Sequence, residues 1–381
     1  MRLAARPVIL SILVVAATAG LAASQLAGGD ADPVEDTGFG DALVAVAVST
    51  PLEESPNASS VVFVDGEGRV EVVSTGEIAM GAVSARPGQL VASTPEDEIR
   101  WTQRNTTVQP RGSSRDMVEQ SLTFADRHAT VFNVGTKGTD SYYYGVSVWG
   151  DDHAMREMEL EGVFMGLTLC QEDLYALMQP YDEVSGPPAL VRLVEDGETW
   201  RRRVVETRLR LPGRMKTWDR SITCLGGRIG ALMTSGGPGG AQAWLVWIDP
   251  VTGATDNVPV PDLPTGDHLV VGRWRDGVIV QDLRENSFSR VSEDGEVALV
   301  WKMPSDAFLV SASVTGEDML LIWADTSRGH TITWVDPMKG TEHHIIEVPG
   351  LDDRLQRLGQ YLSGAPADLV AGDSTSRPDF G

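Results

Sequence analysis

From Ala42 to about Val370 the chain runs as short apolar stretches of four to eight residues, alternating with polar positions and broken by Gly, Asp, Asn and Pro. A period of two with no segment of helical spacing predicts strands throughout, and so an all-β chain. The reversals fall at Asp65-Gly66, near Asn105, at Gly150-Asp151, Asp196-Gly197, Asp249 to Gly253, Asp294-Gly295 and Asp336 to Gly340. Asp-Gly and Asp-Pro-x-x-Gly supply the left-handed backbone that a tight reversal needs, so their recurrence has a steric cause. Pro110, Pro212, Pro261, Pro304 and Pro349 follow strands that they help to end, because proline cannot donate to a ladder.

The stretch Trp244 to Pro261 has a close echo in Thr331 to Pro349. Trp247, Asp249, Pro250 and Gly253 recur as Trp334, Asp336, Pro337 and Gly340, each 87 residues later, with the Asp294-Gly295 turn about halfway between. A hairpin unit of roughly 44 residues has the length of a propeller blade. In period and turn chemistry the chain resembles the seven-bladed β-propeller superfamily over residues 42–370. That resemblance implies seven four-stranded antiparallel blades, one for each turn. No subfamily pattern repeats: Gly226-Gly227 is similar to a kelch turn once, and Glu195 to Trp200 to the second half of an Asp-box turn. Leu193 and Glu195 stand where that box has Ser and Asp, and such turns speak to fold rather than activity. Blade one has only three strands at its N-terminal side, Ala42 to Ser49, Val61 to Val64 and Arg69 to Val73. Its innermost strand is expected from Leu358 to Leu362, which would close the ring.

The N-terminus changes the picture from fold to address. Arg2 and Arg6 precede an uncharged run from Pro7 to Gly29, and Asp30, Asp32, Glu35 and Asp36 follow it. Positive before and acidic after directs the remainder across a membrane. Residues 1–29 therefore read as a signal peptide or membrane anchor, 30–41 as an acidic spacer and 371–381 as a flexible tail. The expected location is outside the cytoplasm, secreted or anchored to the cell membrane. There, the two cysteines, Cys170 and Cys224, each ending the first strand of adjacent blades, are expected to form a disulfide.

Composition then narrows the chemistry. With 31 basic against 54 acidic residues the net charge is −23, which disfavours nucleic acid and anionic lipid as partners. The six histidines have no ligand-like spacing, and His343 and His344, consecutive on a strand, point to opposite faces. Neither metal nor cofactor is implied, and no nucleophile elbow, phosphate loop or dinucleotide fingerprint is present. Arg201, Arg202, Arg203, Arg208, Arg210, Arg214 and Lys216 read as the solvent-facing edge of blade four. Trp149, Trp244, Trp247, Trp301, Trp323 and Trp334 read as core, with Trp218 the exception.

Loop length separates the two ends of the ring. Turns between first and second, and third and fourth, strands are short. The others, Thr50 to Asn57, Gln109 to Asp116, Gly135 to Ser141, Pro180 to Pro188, Pro212 to Asp219, Ser235 to Ala241 and Asp325 to Gly329, read as long and polar. On that face Tyr142, Tyr143, Tyr181, Asp182, Glu183, Arg214, Trp218, Asp325 and Arg328 are the candidate lining residues. The function expected from this is a monomeric, non-catalytic binding or scaffold propeller, its partner a protein or glycan on the long-loop face. The alternative is a glycan-active hydrolase or lyase with a site assembled from several blades. A quinone-cofactor dehydrogenase has only the propeller shape in its favour.

Overall fold

The computed structural model describes residues 38–51, 58–124, 127–136, 142–150, 155–179, 188–196, 199–206, 215–237, 240–263, 268–325, 329–362 and 365–369, with backbone alone at 195–196, 199–206, 215–221, 235–237, 240–241 and 268–269. The segment read as signal or anchor, the spacer up to residue 37 and the tail lie outside them. Among the described residues no helix is long and apolar enough to cross a membrane.

Seven antiparallel sheets make up the described chain, six of them built from four consecutive strands and the first from three N-terminal strands completed by the C-terminal end. The chain is a seven-bladed β-propeller. Blade five is typical: Met215–Leu225 is innermost, followed by Arg228–Gly237, Gly240–Ile248 and Thr255–Pro259. Apolar residues pack chiefly between blades rather than within them. Val44, Val46, Val48, Val62 and Val64 of blade one, for instance, share a cluster with Leu320, Ile322, Ile332, Trp334, Ile346 and Val348 of blade seven. A sheet buried on both faces needs apolar side chains on both, which is why the inner strands read as near-continuous Val, Leu and Ile.

The interface between blades two and three departs from this rule. Its apolar cluster holds only the buried Ile78, Val118 and Phe132. Beside it Glu98 and Arg111, with side chains 2% and 1% exposed, pair at 3.1 Å. Ser147 and Ser93 each donate a hydroxyl to the Glu98 carboxylate at 2.7 Å, and the Arg111 guanidinium lies 4.5 Å from the Phe132 ring centre. Burial pushes the Glu98 carboxyl up, opposed by Arg111 and by these hydroxyls. A pair so placed is tolerated because its lone pairs are occupied, and removing either member would strand a buried charge.

Ring closure takes the expected route with different parts. Blade one's innermost strand comes from the C-terminal end, but as two short pieces, Tyr361–Leu362 and Ala367–Asp368, both antiparallel to Ala42–Ser49. Leu358 is not in it. Leu351–Leu358 forms helix α1, with Asp352 and Asp353 in its first turn, Arg357 in its last, and left-handed Gly350 and Gly359 at its ends. Leu351 and Leu355 are buried against blades one and seven. The helical spacing of these leucines is confined to eight residues, too short to stand out in a chain of strands. Trp334 fastens the seam by donating its indole N–H to Asp368 at 2.8 Å.

Cys170 and Cys224 form a disulfide between the innermost strands of blades four and five. Equivalent positions on adjacent inner strands bring their Cα atoms to 5.2 Å.

Candidate functional site

The two ends of the propeller differ as the loop lengths suggest, though less uniformly. On one end the first and second strands are joined by two-residue turns: Pro87-Gly88, Gln171-Glu172, Gly226-Gly227, Arg275-Asp276 and Gly316-Glu317. The opposite end carries the longer connections, including 50–58, 111–117, 180–188 and α1. Three supposed loops are at least partly strand. Arg228–Gly237 and Gly240–Ile248 pair down to Gly237↔Gly240, so Ser235 to Ala241 is a tight hairpin. Asp325 pairs with Gly329, and Met215 onward is the innermost strand of blade five. Gly and Ser mark loops by composition, yet a ladder accepts them because their small side chains obstruct nothing.

Of the candidate lining residues, Tyr142, Tyr143, Trp218 and Asp325 are among those described. Tyr142 and Tyr143 open the third strand of blade three, and Asp325 ends the second strand of blade seven, so these lie on one face but on blades that are not neighbours. Tyr142 donates its hydroxyl to Asn133 at 2.6 Å and packs its ring 5.3 Å from that of buried Tyr144. Burial, with Tyr142 adding to it, pushes the Tyr144 hydroxyl up to about 12. Trp218 falls in an irregularity between Thr217 and Ile222 of blade five's innermost strand rather than in a preceding connection. Tyr181, Asp182, Glu183, Arg214 and Arg328 lie outside the described residues.

Among the described residues no group of three His, Cys, Asp or Glu side chains is arranged to hold a metal. His343 and His344 do face opposite ways: His343 Nε2 lies 2.8 Å from Asp318, whereas His344 packs 4.9 Å from the Trp334 ring.

A pocket of about 530 Å³ opens on the long-connection face where the ring closes, between α1 and the outer half of blade one. Ala58, Ser60, Val72 and Ser74 form one wall, while Arg354, Arg357, Leu358 and Gln360 form the other. The helix owes its position to Leu351 and Leu355, which turn its apolar side to the core and leave Arg354 and Arg357, three residues apart, on the pocket side. His330 of blade seven lies 2.9 Å from Asp352 in its first turn. Past the helix, Gln360 crosses the seam, its amide donating to the Ala58 carbonyl and to Ser60 Oγ, both at 3.3 Å. Sequence reasoning missed this pocket because its walls are about 300 residues apart along the chain. The lining offers cationic and hydroxyl donors over apolar surface, a combination suited to holding an anionic or carbonyl group.

No protein-family description matches the chain, and no curated protein is similar to it in sequence. In three dimensions it is similar to the Pyrococcus horikoshii acylaminoacyl peptidase, with a TM-score of 0.52 and 11% identity over 83% of this chain and 54% of that one. It is likewise similar to puromycin hydrolase, with a TM-score of 0.51 and 13% identity over 82% of this chain and 54% of the other. An acylaminoacyl peptidase in complex with Z-Gly-Gly-Phe-chloromethyl ketone gives 0.51 and 12%, over 81% and 52%. The chain spans about half the length of these solved structures. At such identities the likeness is one of fold. It nevertheless corrects the expectation of a non-catalytic binding or scaffold domain, because the propellers that this one matches belong to chains named for hydrolysis. The turn chemistry behind that expectation specifies how blades close and carries no information about reactions.

Proposed function

We propose that this chain is a hydrolase-related propeller that takes part in cleaving amide bonds in peptide-like substrates. The observation that carries the reading is the match of four fifths of the chain to about half of an acylaminoacyl peptidase and of puromycin hydrolase. In this reading the propeller presents the substrate on its long-connection face, where the α1 pocket supplies donors for a carboxylate or carbonyl. The work takes place outside the cytoplasm, a placement supported by the Cys170–Cys224 disulfide and by the charge pattern around residues 7–29. Recovery of the chain from the cytosolic fraction alone would overturn that placement.

The test uses protein purified gently from the cells that make it, assayed on a panel of acylated and free aminoacyl p-nitroanilides. An amidase activity should co-elute with the chain and disappear when antibodies against the chain deplete the preparation. Activity that is unchanged by depletion, or no amidase activity in the purified material, overturns the reading.

A further inference from the structure

We propose that the pocket between α1 and blade one is a recognition site for an organic carboxylate that carries an adjacent N–H and an apolar side chain, the chemistry of a peptide C-terminus. Three observations converge on it. The first is charge. Arg354 and Arg357 line the pocket, and among the described residues neither is ion-paired, although the chain has 54 carboxylates to 31 cations. Arg357 donates its Nε to the Asp353 carbonyl at 3.0 Å, which leaves its two terminal nitrogens for a ligand. Arginine keeps its charge and its fork of donors at any physiological pH, so two guanidiniums one helical turn apart can grip one carboxylate.

The second is an orphan acceptor. Gln360 Oε1 is buried without a hydrogen-bond partner, while its Nε2 is committed to Ala58 O and Ser60 Oγ. The amide cannot profit from turning over, because that would set its oxygen against the Ala58 carbonyl. As the side chain stands this acceptor is closed to solvent, so a small turn of Gln360 toward the pocket is needed before a donor can reach it, and the N–H next to a carboxylate is such a donor. The third is the floor of the pocket: Ala58, Val72 and Leu358 offer apolar surface, and about 530 Å³ is room for a terminal residue and its neighbour. A phosphate would satisfy the arginines and leave both the Gln360 oxygen and the apolar floor unused.

This site deepens the proposed function, since amide cleavage both consumes and produces such chain ends, but its test does not depend on turnover. The full chain is titrated calorimetrically with N-acetyl-leucine, with a pentapeptide ending in a free leucine, and with the neutral amide of each. The acids should bind at least tenfold more tightly than their amides. Preference for the pentapeptide would assign the site to peptide ends, and preference for N-acetyl-leucine to free acylated amino acids. The R354Q/R357Q double variant should melt at the wild-type temperature and lose at least tenfold in affinity for the acids. The Q360E variant should lose binding by setting a carboxylate against the ligand. Equal affinity for acid and amide, no binding of either acid, or full binding by the double variant overturns the proposal. None of these outcomes bears on cleavage of anilides whose α-carboxyl is blocked, so the two readings fail separately.

Discussion

At the scale of single residues, the recurring aspartates shape the turns more than they provide chemistry. Asp249 Oδ1 accepts the backbone N–H groups of Val251 at 2.9 Å and Thr252 at 2.7 Å, and Asp336 does the same for Met338 and Lys339. The Thr252 N–H, with Val251 behind it, holds the Asp249 carboxyl below its ordinary range. A depressed carboxyl stabilises the folded chain above the unfolded value, and this contribution disappears as pH falls through the folded one. Asp249→Asn keeps an acceptor oxygen but cannot titrate, so its acid melting curve should lie flatter than wild type between about pH 5 and pH 2. Asp249→Ala, which loses the hydrogen bonds as well, should cost about 1 kcal/mol at neutral pH. Thermal melts across that range check both, and parallel wild-type and Asn curves would show that the turn charge does nothing.

At the scale of elements, the glycine that ends these turns does two jobs. Gly340 has φ of 62°, and a Cβ there would fall 2.3 Å from the Val300 carbonyl oxygen on blade six's outermost strand. The same contact recurs between Gly295 and Pro259 O, and between Gly68 and Glu347 O across the closing seam. In blades one, six and seven the turn after the third strand therefore rests on the previous blade's edge, which accounts for the Gly that ends each of these turns. Gly316 has φ of 59° but open space around it. Gly316→Ala should cost only the left-handed strain, about 1 kcal/mol, whereas Gly340→Ala should cost clearly more than 2 kcal/mol because backbone must also move. Denaturant unfolding of the two variants decides between strain and contact, and equal losses would remove the contact from the account.

This also explains what could be read from the sequence. Turn positions, blade number, the direction of closure and the Cys170–Cys224 bridge were legible, since each depends on a residue type at a repeated place. Helix α1 was not, because Leu351, Leu355 and Leu358 show one helical face for too few residues. Neither was the pocket, because Ser60 and Gln360 meet only once the ring is shut.

At the scale of the molecule, stability rests on that shutting. A chain cut after Pro349 loses α1, both pieces of blade one's innermost strand and the Trp334–Asp368 bond. The Ala42–Ser49 backbone would then lack partners along one edge, with Val44, Val46 and Val48 uncovered. The truncated protein should aggregate or melt without cooperativity, as measured by calorimetry and light scattering, and a single sharp transition like that of the full chain would refute the role given to the seam. The disulfide acts elsewhere on the ring. Bridging residues 54 apart, it should contribute roughly 4 kcal/mol by restricting the unfolded chain.

The closure also fixes which way the molecule can be held. Near the start of the described chain Phe39 bonds to Thr102, and at its end Leu369 accepts from Gly88, both at the short-turn end of blade two. The two ends of the described propeller thus leave side by side from the face opposite α1. Coupled to a sensor surface or fused to a reporter through either end, the protein would stand with its long connections and the arginine pocket turned outward to solution, so either attachment leaves the face that matters accessible.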